Sequence, residues 1–244
     1  MELLRGTMRV QWGLAQNTWE IGDTRMKTIY VIRHGETSYN AAGRLQGSTD
    51  APLNENGREL AVITGKALSD VRFDKVYSSP LDRAYETAAL LLKYNRHPTP
   101  QIITDDRLRE INLGSWEGKG VTKDNLEIPY RQRQLFLGDP MHLENVYGGE
   151  TAADVIRRTG EFYRSITEDP DNEGKTLLVS THGCAMRALL NSVYEDKSDF
   201  WHGKAPDNCA VNIIEYSDGE STLVGDDLIY YDPSLCANRY TLDE

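Results

Sequence analysis

Thr28-Ile29-Tyr30-Val31-Ile32 runs directly into Arg33-His34-Gly35-Glu36-Thr37. The first five residues are mostly β-branched or aromatic and carry no charge, which predicts a strand buried on both faces. The stretch that follows, residues 33–52, is rich in Gly, Ser, Asn and Asp, so it reads as a loop broken by short helical turns. A buried strand that delivers Arg and His into a loop is what the carboxyl edge of a parallel sheet looks like in sequence.

Downstream the pattern alternates. Residues 54–68 have helical spacing, with Leu60, Ala61, Ile63, Thr64 and Leu68 on the apolar face, Asn54 as N-cap and Gly57 as a tolerated weakness. Residues 73–78 read as a strand, 81–94 as a helix and 101–104 as a third strand. Residues 125–136 predict a helix interrupted by Pro129, and 151–167 a stronger one opened by the capping pair Thr151 and Asp154. Residues 176–181, Thr-Leu-Leu-Val-Ser-Thr, form a continuous apolar strand. Residues 184–194 are helical, and 210–216 are a strand joined through Asp218-Gly219 to 221–224 as a hairpin. Strands alternating with helices predict one α/β domain over residues 27–244, its largely parallel sheet covered on both faces. Residues 1–26 show no clean period and read as an N-terminal extension.

Composition narrows the partners. With 27 basic against 38 acidic side chains the net charge is −11, which makes nucleic acid and anionic membrane poor partners. No run reaches the eighteen apolar residues of a span, and polar residues interrupt the N-terminus where a signal peptide would be apolar. Cys184, Cys209 and Cys236 make neither a disulfide framework nor a zinc pattern, so a reduced, cytoplasmic protein is expected. Oligomeric state does not follow from these residues.

Three strands deliver functional side chains to one sheet edge. The first ends in Arg33-His34, the second in Ser78-Ser79-Pro80-Leu81-Asp82-Arg83, and 176–181 in His182-Gly183; after the third strand comes Glu110. This set suits phosphoryl transfer without a metal or other cofactor. A neutral imidazole escapes the repulsion that a phosphomonoester exerts on anionic nucleophiles. Arg33 and Arg83 present planar donor forks to the phosphoryl oxygens, and His182 adds a donor. Losing one such donor typically costs ~3–4 kcal/mol of transition-state stabilisation. Glu110 protonates the leaving alkoxide and then takes a proton from water, for which it must begin protonated through burial or a neighbouring carboxylate. Each residue alone has an ordinary structural reading; their joint placement at successive strand ends is what points to chemistry.

Arg33-His34-Gly35-Glu36-Thr37 with Asn40 resembles the signature of the histidine phosphatase superfamily, the phosphoglycerate mutase-like family. Residues 45–53, 78–84, 108–118 and 180–183 are similar to its further segments, in order. The resemblance implies a three-layer α/β/α sandwich. It implies His34 as phosphorylated nucleophile, Glu110 as proton donor, and Arg33, Arg83 and His182 as the phosphate pocket, lined also by Asn40, Gln46, Gly47 and Gly183. Arg187 is left between a site role and helix packing.

The segment between Gly118 and Gly148 forms a lid-like insertion, about 118–150, and is short for a mutase. Gly148-Gly149-Glu150-Thr151 and Trp116-Glu117-Gly118 look like the broad-specificity phosphatase branch. The expected function is therefore hydrolysis of small phosphomonoesters. Phosphoglycerate mutase is the alternative, since Arg131 and Arg133 in the insertion are candidates for a second anionic group of the substrate. A non-catalytic phospho-ligand module is disfavoured because His34, Glu110 and His182 are all present. Trp116, Tyr130, Phe136 and Tyr147 read as lid packing or as a substrate wall. His97 and His142 read as surface residues, His202 stays unassigned, and residues after Asp226 read as a peripheral tail.

Overall fold

Ile29 and Val31 pack to one side of strand β1 (Lys27–Arg33), Tyr30 and Ile32 to the other, and both sides are covered. The structure is a computed structural model describing residues 25–236 and Tyr240; the N-terminal extension read from the sequence lies outside them apart from Arg25 and Met26. The further strands are β2 (Lys75–Ser78), β3 (Ile102–Thr104), β4 (Val121–Thr122), β5 (Asn125–Leu126), β6 (Thr176–Thr181), β7 (Val211–Ser217) and β8 (Glu220–Leu228). The helices are α1 (Ser38–Ala41), α2 (Glu55–Ala67), α3 (Asp82–Leu92), α4 (Tyr130–Gly138), α5 (Ala152–Thr167) and α6 (Gly183–Leu190).

The central sheet has the order β3-β2-β6-β1-β7-β8. β3, β2, β6 and β1 run parallel, while β7 and β8 are antiparallel. Side chains alternate between the two faces. Ile32, Val76 and Leu178 meet α2 and α3 through Leu60, Ala88 and Leu91, and Ile29, Val31, Leu177 and Val179 meet α5 and α6 through Phe162, Met186 and Leu189. Both layers are built of buried apolar side chains, and truncating fully buried Phe162 to alanine costs about 3–5 kcal/mol. The sandwich expected from the sequence is the one observed.

Register positions the chemistry. Arg33 is level with Thr181 across β1 and β6, and Ser78 with Ser180 across β2 and β6. The residues that follow, His34, His182 and Ser79, therefore leave the sheet together.

Local signals held at the caps. Asn54 accepts the Gly57 N–H, and Thr151 with Asp154 forms a capping box. Gly57 is no mere weakness in the helix. A Cβ there would stand 2.1 Å from the Glu36 carbonyl oxygen, and one at Gly35 would stand 2.4 Å from the Gly57 oxygen. Two glycines thus let α2 dock backbone to backbone on the loop that carries His34.

The helix expected over 125–136 is corrected. Asn125–Leu126 pairs with Val121–Thr122 as a small hairpin, and α4 starts only at Tyr130. Pro129 lacks an N–H and disfavours helix in the residue before it, so it opens the helix instead of interrupting one. The covering segment is anchored: Trp116, Val121, Phe136, Leu143 and Tyr147 pack in one cluster with Ala152 and Val155 of α5 and Ala185 and Ala188 of α6. Among the described residues no helix is long and apolar enough to cross a membrane. The three cysteines are free thiols.

Candidate active site

His34 lies immediately beyond β1 and is 3% exposed. Its Nδ1 lies 2.7 Å from the Gly35 carbonyl oxygen, which can only accept, so Nδ1 carries the proton and Nε2 the lone pair. Its carbonyl accepts the Asn208 side-chain amide at 3.0 Å, and the Gly35 N–H is held by Thr87 Oγ1 at 3.0 Å. Burial, with the charges of Arg83 and Arg33 behind it, holds the imidazole well below the usual histidine range. The ring is neutral at pH 7 and nucleophilic at Nε2.

His182 follows β6, its ring centre 5.1 Å from that of His34. Its Nε2 lies 2.7 Å from Ser79 Oγ, while its Nδ1 has no partner. Burial, then Arg83 and His34, pushes this imidazole well down too. Arg83 in the first turn of α3 is fully buried. Its Nη2 donates to the Gly47 carbonyl at 2.7 Å, and its Nη1 to the Thr49 carbonyl at 2.9 Å and to Asp50. Arg33 donates Nη1 to the Pro206 carbonyl. The Nε of Arg33, the Nε of Arg83 and the Nδ1 of His182 are all buried without a partner. Buried polar nitrogens left in this state cost stability unless a ligand satisfies them.

Glu110 closes the set. Its Oε1 accepts the N–H groups of Ile111 and Ala185, both at 2.9 Å, and its Oε2 accepts that of Cys184 at 3.1 Å. Burial, one of the two settings expected from the sequence, is observed; the partners of the carboxylate are backbone N–H groups, two of them at the start of α6. Arg158 fixes this segment by donating to the carbonyls of Arg107, Arg109 and Glu110, and is itself held by Glu150 at 2.8 Å. A Cβ at Gly183 would lie 3.4 Å from Arg33 Nε and 3.7 Å from Glu110, which places the start of α6 in contact range of both.

Part of this set faces one cleft. Arg33, His34, Asn40, Gln46, Glu110 and Gly183 line it, as read from the sequence. Arg83, His182 and Gly47 do not line it. The first two stand behind it at 0% exposure, and Gly47 offers its carbonyl to Arg83. Arg131 and Arg133 are not brought to the cleft: Arg131 borders a separate depression, and buried Arg133 donates Nε to the Val121 carbonyl. Arg187 belongs to helix packing, bound to Asp227, Tyr194 and the Lys204 carbonyl. Trp116 and Tyr147 pack inside the cover, Phe136 reaches the cleft, and Tyr130 is exposed. His142 pairs with Asp139 at the surface, partly buried His97 contacts the Asp70 carbonyl, and His202 stacks on Tyr194.

Four residues of the site carried no sequence signal strong enough to assign them. Ser79 meets His182, and Asn208 bridges the His34 carbonyl and Asn40. Glu117 gathers the N–H groups of Gly47, Ser48, Thr49 and Leu113 at 2.8–3.1 Å. Tyr240 corrects the reading of a peripheral tail. It lines the cleft, its hydroxyl donating to the Arg44 carbonyl at 2.7 Å and accepting from Asn40 at 3.1 Å.

A sequence model of the histidine phosphatase superfamily (branch 1) matches residues 29–226. Phosphoserine phosphatase 1 of Hydrogenobacter thermophilus is 30% identical over 82% of this chain and 91% of its own. The metal-independent phosphoserine phosphatase of Arabidopsis thaliana is 32% identical over 80% of this chain and 79% of its own. Among solved structures, Bacillus stearothermophilus YhfR superposes with a TM-score of 0.74 at 34% identity, covering 84% of this chain and 98% of that one. Phosphoglycerate mutases also stand among the relatives. The chain belongs to the histidine phosphatase superfamily.

Proposed function

We propose that this protein hydrolyses small phosphomonoesters through a phosphohistidine on His34. The observation that carries the reading is the neutral His34 ring beside His182, together with buried, unpartnered nitrogens on Arg33, Arg83 and His182. In the first step Nε2 of His34 bonds to phosphorus, the ester P–O bond breaks, and the leaving alkoxide takes a proton from Glu110. In the second a water attacks phosphorus, gives a proton to Glu110, and the P–N bond breaks to release phosphate. Arg33, Arg83 and His182 hold the phosphoryl oxygens; in the tautomer in which Ser79 donates to Nε2 of His182, Nδ1–H is the ring's free donor. Asn40, Gln46, Gly47 and Gly183 shape the pocket and its walls.

Residues 27–244 act as one domain, with 118–150 as the cover of the cleft. The partner is a small phosphorylated molecule; an acidic protein with three free thiols suits the cytoplasm better than a nucleic-acid or membrane surface. A mutase reading needs a grip on a second anionic group, and the positions of Arg131 and Arg133 away from the cleft favour release of phosphate instead.

The test is to quench turnover with a phosphate ester and look for a base-stable, acid-labile phosphoryl label. It is expected on His34, absent in His34→Ala, and unaffected by EDTA. A label elsewhere, or full turnover in His34→Ala, overturns the mechanism; isomerisation of 3-phosphoglycerate outrunning phosphate release restores the mutase.

A further inference from the structure

Beyond the phosphate-facing groups, the cleft is lined chiefly by Leu45, Leu113, Phe136, Leu137, Trp201 and Tyr240. The polar edges of the two largest rings are already taken. Trp201 Nε1–H donates to the Phe136 carbonyl at 2.8 Å, and the Tyr240 hydroxyl is engaged by Asn40 and the Arg44 carbonyl. Among the described residues that line the cleft, Arg33 is the only cation and Glu110 the only acid. Both are committed to the phosphoryl group and the leaving oxygen in the reading above.

We infer that the site selects phosphomonoesters of uncharged, apolar alcohols, and that Tyr240 is a specificity-determining residue. The inference rests on the phosphatase reading of the same cleft. A leaving alcohol that carries a carboxylate would lose its water against apolar side chains, with no uncommitted cation among the described lining residues to replace it. An alkyl or aryl group gains what such an alcohol loses, because burying it removes apolar surface from water. Tyr240 supplies part of that wall from a point 200 residues along the chain from Asn40. Its hydroxyl is pinned at both ends, so the ring is presented in a fixed place.

Initial rates with 2-phenylethyl phosphate, O-phospho-L-serine and 3-phosphoglycerate test this in wild type, Tyr240→Ala and Tyr240→Phe. All three substrates release an aliphatic alcohol, so the comparison reads binding more than leaving-group chemistry. In wild type, kcat/KM for the phenylethyl ester is expected to exceed the other two by about tenfold or more, the discrimination a shaped apolar pocket typically provides. Tyr240→Ala should shrink that ratio several-fold, mainly by raising KM for the phenylethyl ester, and Tyr240→Phe should recover part of it. Equal or better hydrolysis of either carboxylate-bearing ester overturns the inference, and so does an unchanged ratio in Tyr240→Ala. No release from any of the three, with His34 unlabelled, defeats the phosphatase reading and this inference with it.

Discussion

The rings of His34 and His182 lie 5.1 Å apart with their planes tilted by 58°, and both are at most 3% exposed. Neither can be charged cheaply, because burial and the nearby guanidinium charges oppose protonation. Such rings bind a proton near pH 6.5 only when the chain unfolds. Below that pH the unfolded state holds more protons than the folded one, so stability is complete above about 6.5 and falls as pH drops. Each ring contributes up to about 1.4 kcal/mol per pH unit in that window. Melting temperature should decline from pH 7 to pH 5, less steeply in His182→Gln; an equal slope in the variant would count against the buried neutral ring.

The same depression sets the activity profile. Because His34 stays neutral below the ordinary histidine range, the acid limb of kcat/KM is expected below pH 6.5. A limb centred at or above 6.5 would show that the nucleophile titrates like an exposed imidazole.

Arg83→Lys keeps the charge and loses the fork. An ammonium cannot serve the carbonyls of Gly47 and Thr49 and still keep the spare buried donor that the Nε of Arg83 offers to the proposed phosphate pocket. A fall of about 10²–10³-fold in kcat is expected, similar to removal of a preorganised donor elsewhere. Near wild-type kcat would place Arg83 outside the transition state.

Glu117 organises the loop that organises Arg83. Burial alone would raise its carboxyl, but the N–H groups of Leu113, Thr49 and Ser48 outweigh this and hold it below the usual range. Glu117→Ala leaves those amides without their acceptor, a loss of about 1–3 kcal/mol where water cannot replace it. Since the carbonyls of Gly47 and Thr49 then move, kcat should fall together with Tm. A stability loss with kcat intact would make Glu117 purely structural.

Gly57→Ala inverts the usual helix rule. In an open helix the change stabilises by about 0.8–1.0 kcal/mol. Here the added Cβ would meet the Glu36 oxygen at 2.1 Å and its nitrogen at 2.5 Å. Overpacking of this kind typically costs about 1–3 kcal/mol, so Tm should drop and activity with it, because the displaced loop carries His34. A raised Tm would refute the contact.

What was legible in the sequence is what local chemistry dictates. The apolar run before Arg33, the continuous residues 176–181 and the Thr151 and Asp154 cap each specify their element within a few residues of chain. The strand-end residues could be read because a parallel sheet puts successive carboxyl ends on one edge. Pro129 misled because the same residue can break a helix or open one. Ser79, Asn208 and Tyr240 escaped because their partners lie 103, 174 and 200 positions away. Arg133 drew attention as a cation, yet its burial depends on the Val121 carbonyl, which only the hairpin of β4 and β5 puts in reach.

The position of β1 between β6 and β7 has a consequence for biosynthesis. During translation the strand that bears His34 emerges early, while both neighbours that hydrogen-bond to it come from residues 176 onward. Until residues 176 onward have left the ribosome, that strand has no native neighbour on either side. Nascent chains of this protein are therefore catalytically silent, and the hazard of aggregation falls on the unsatisfied edges of that segment.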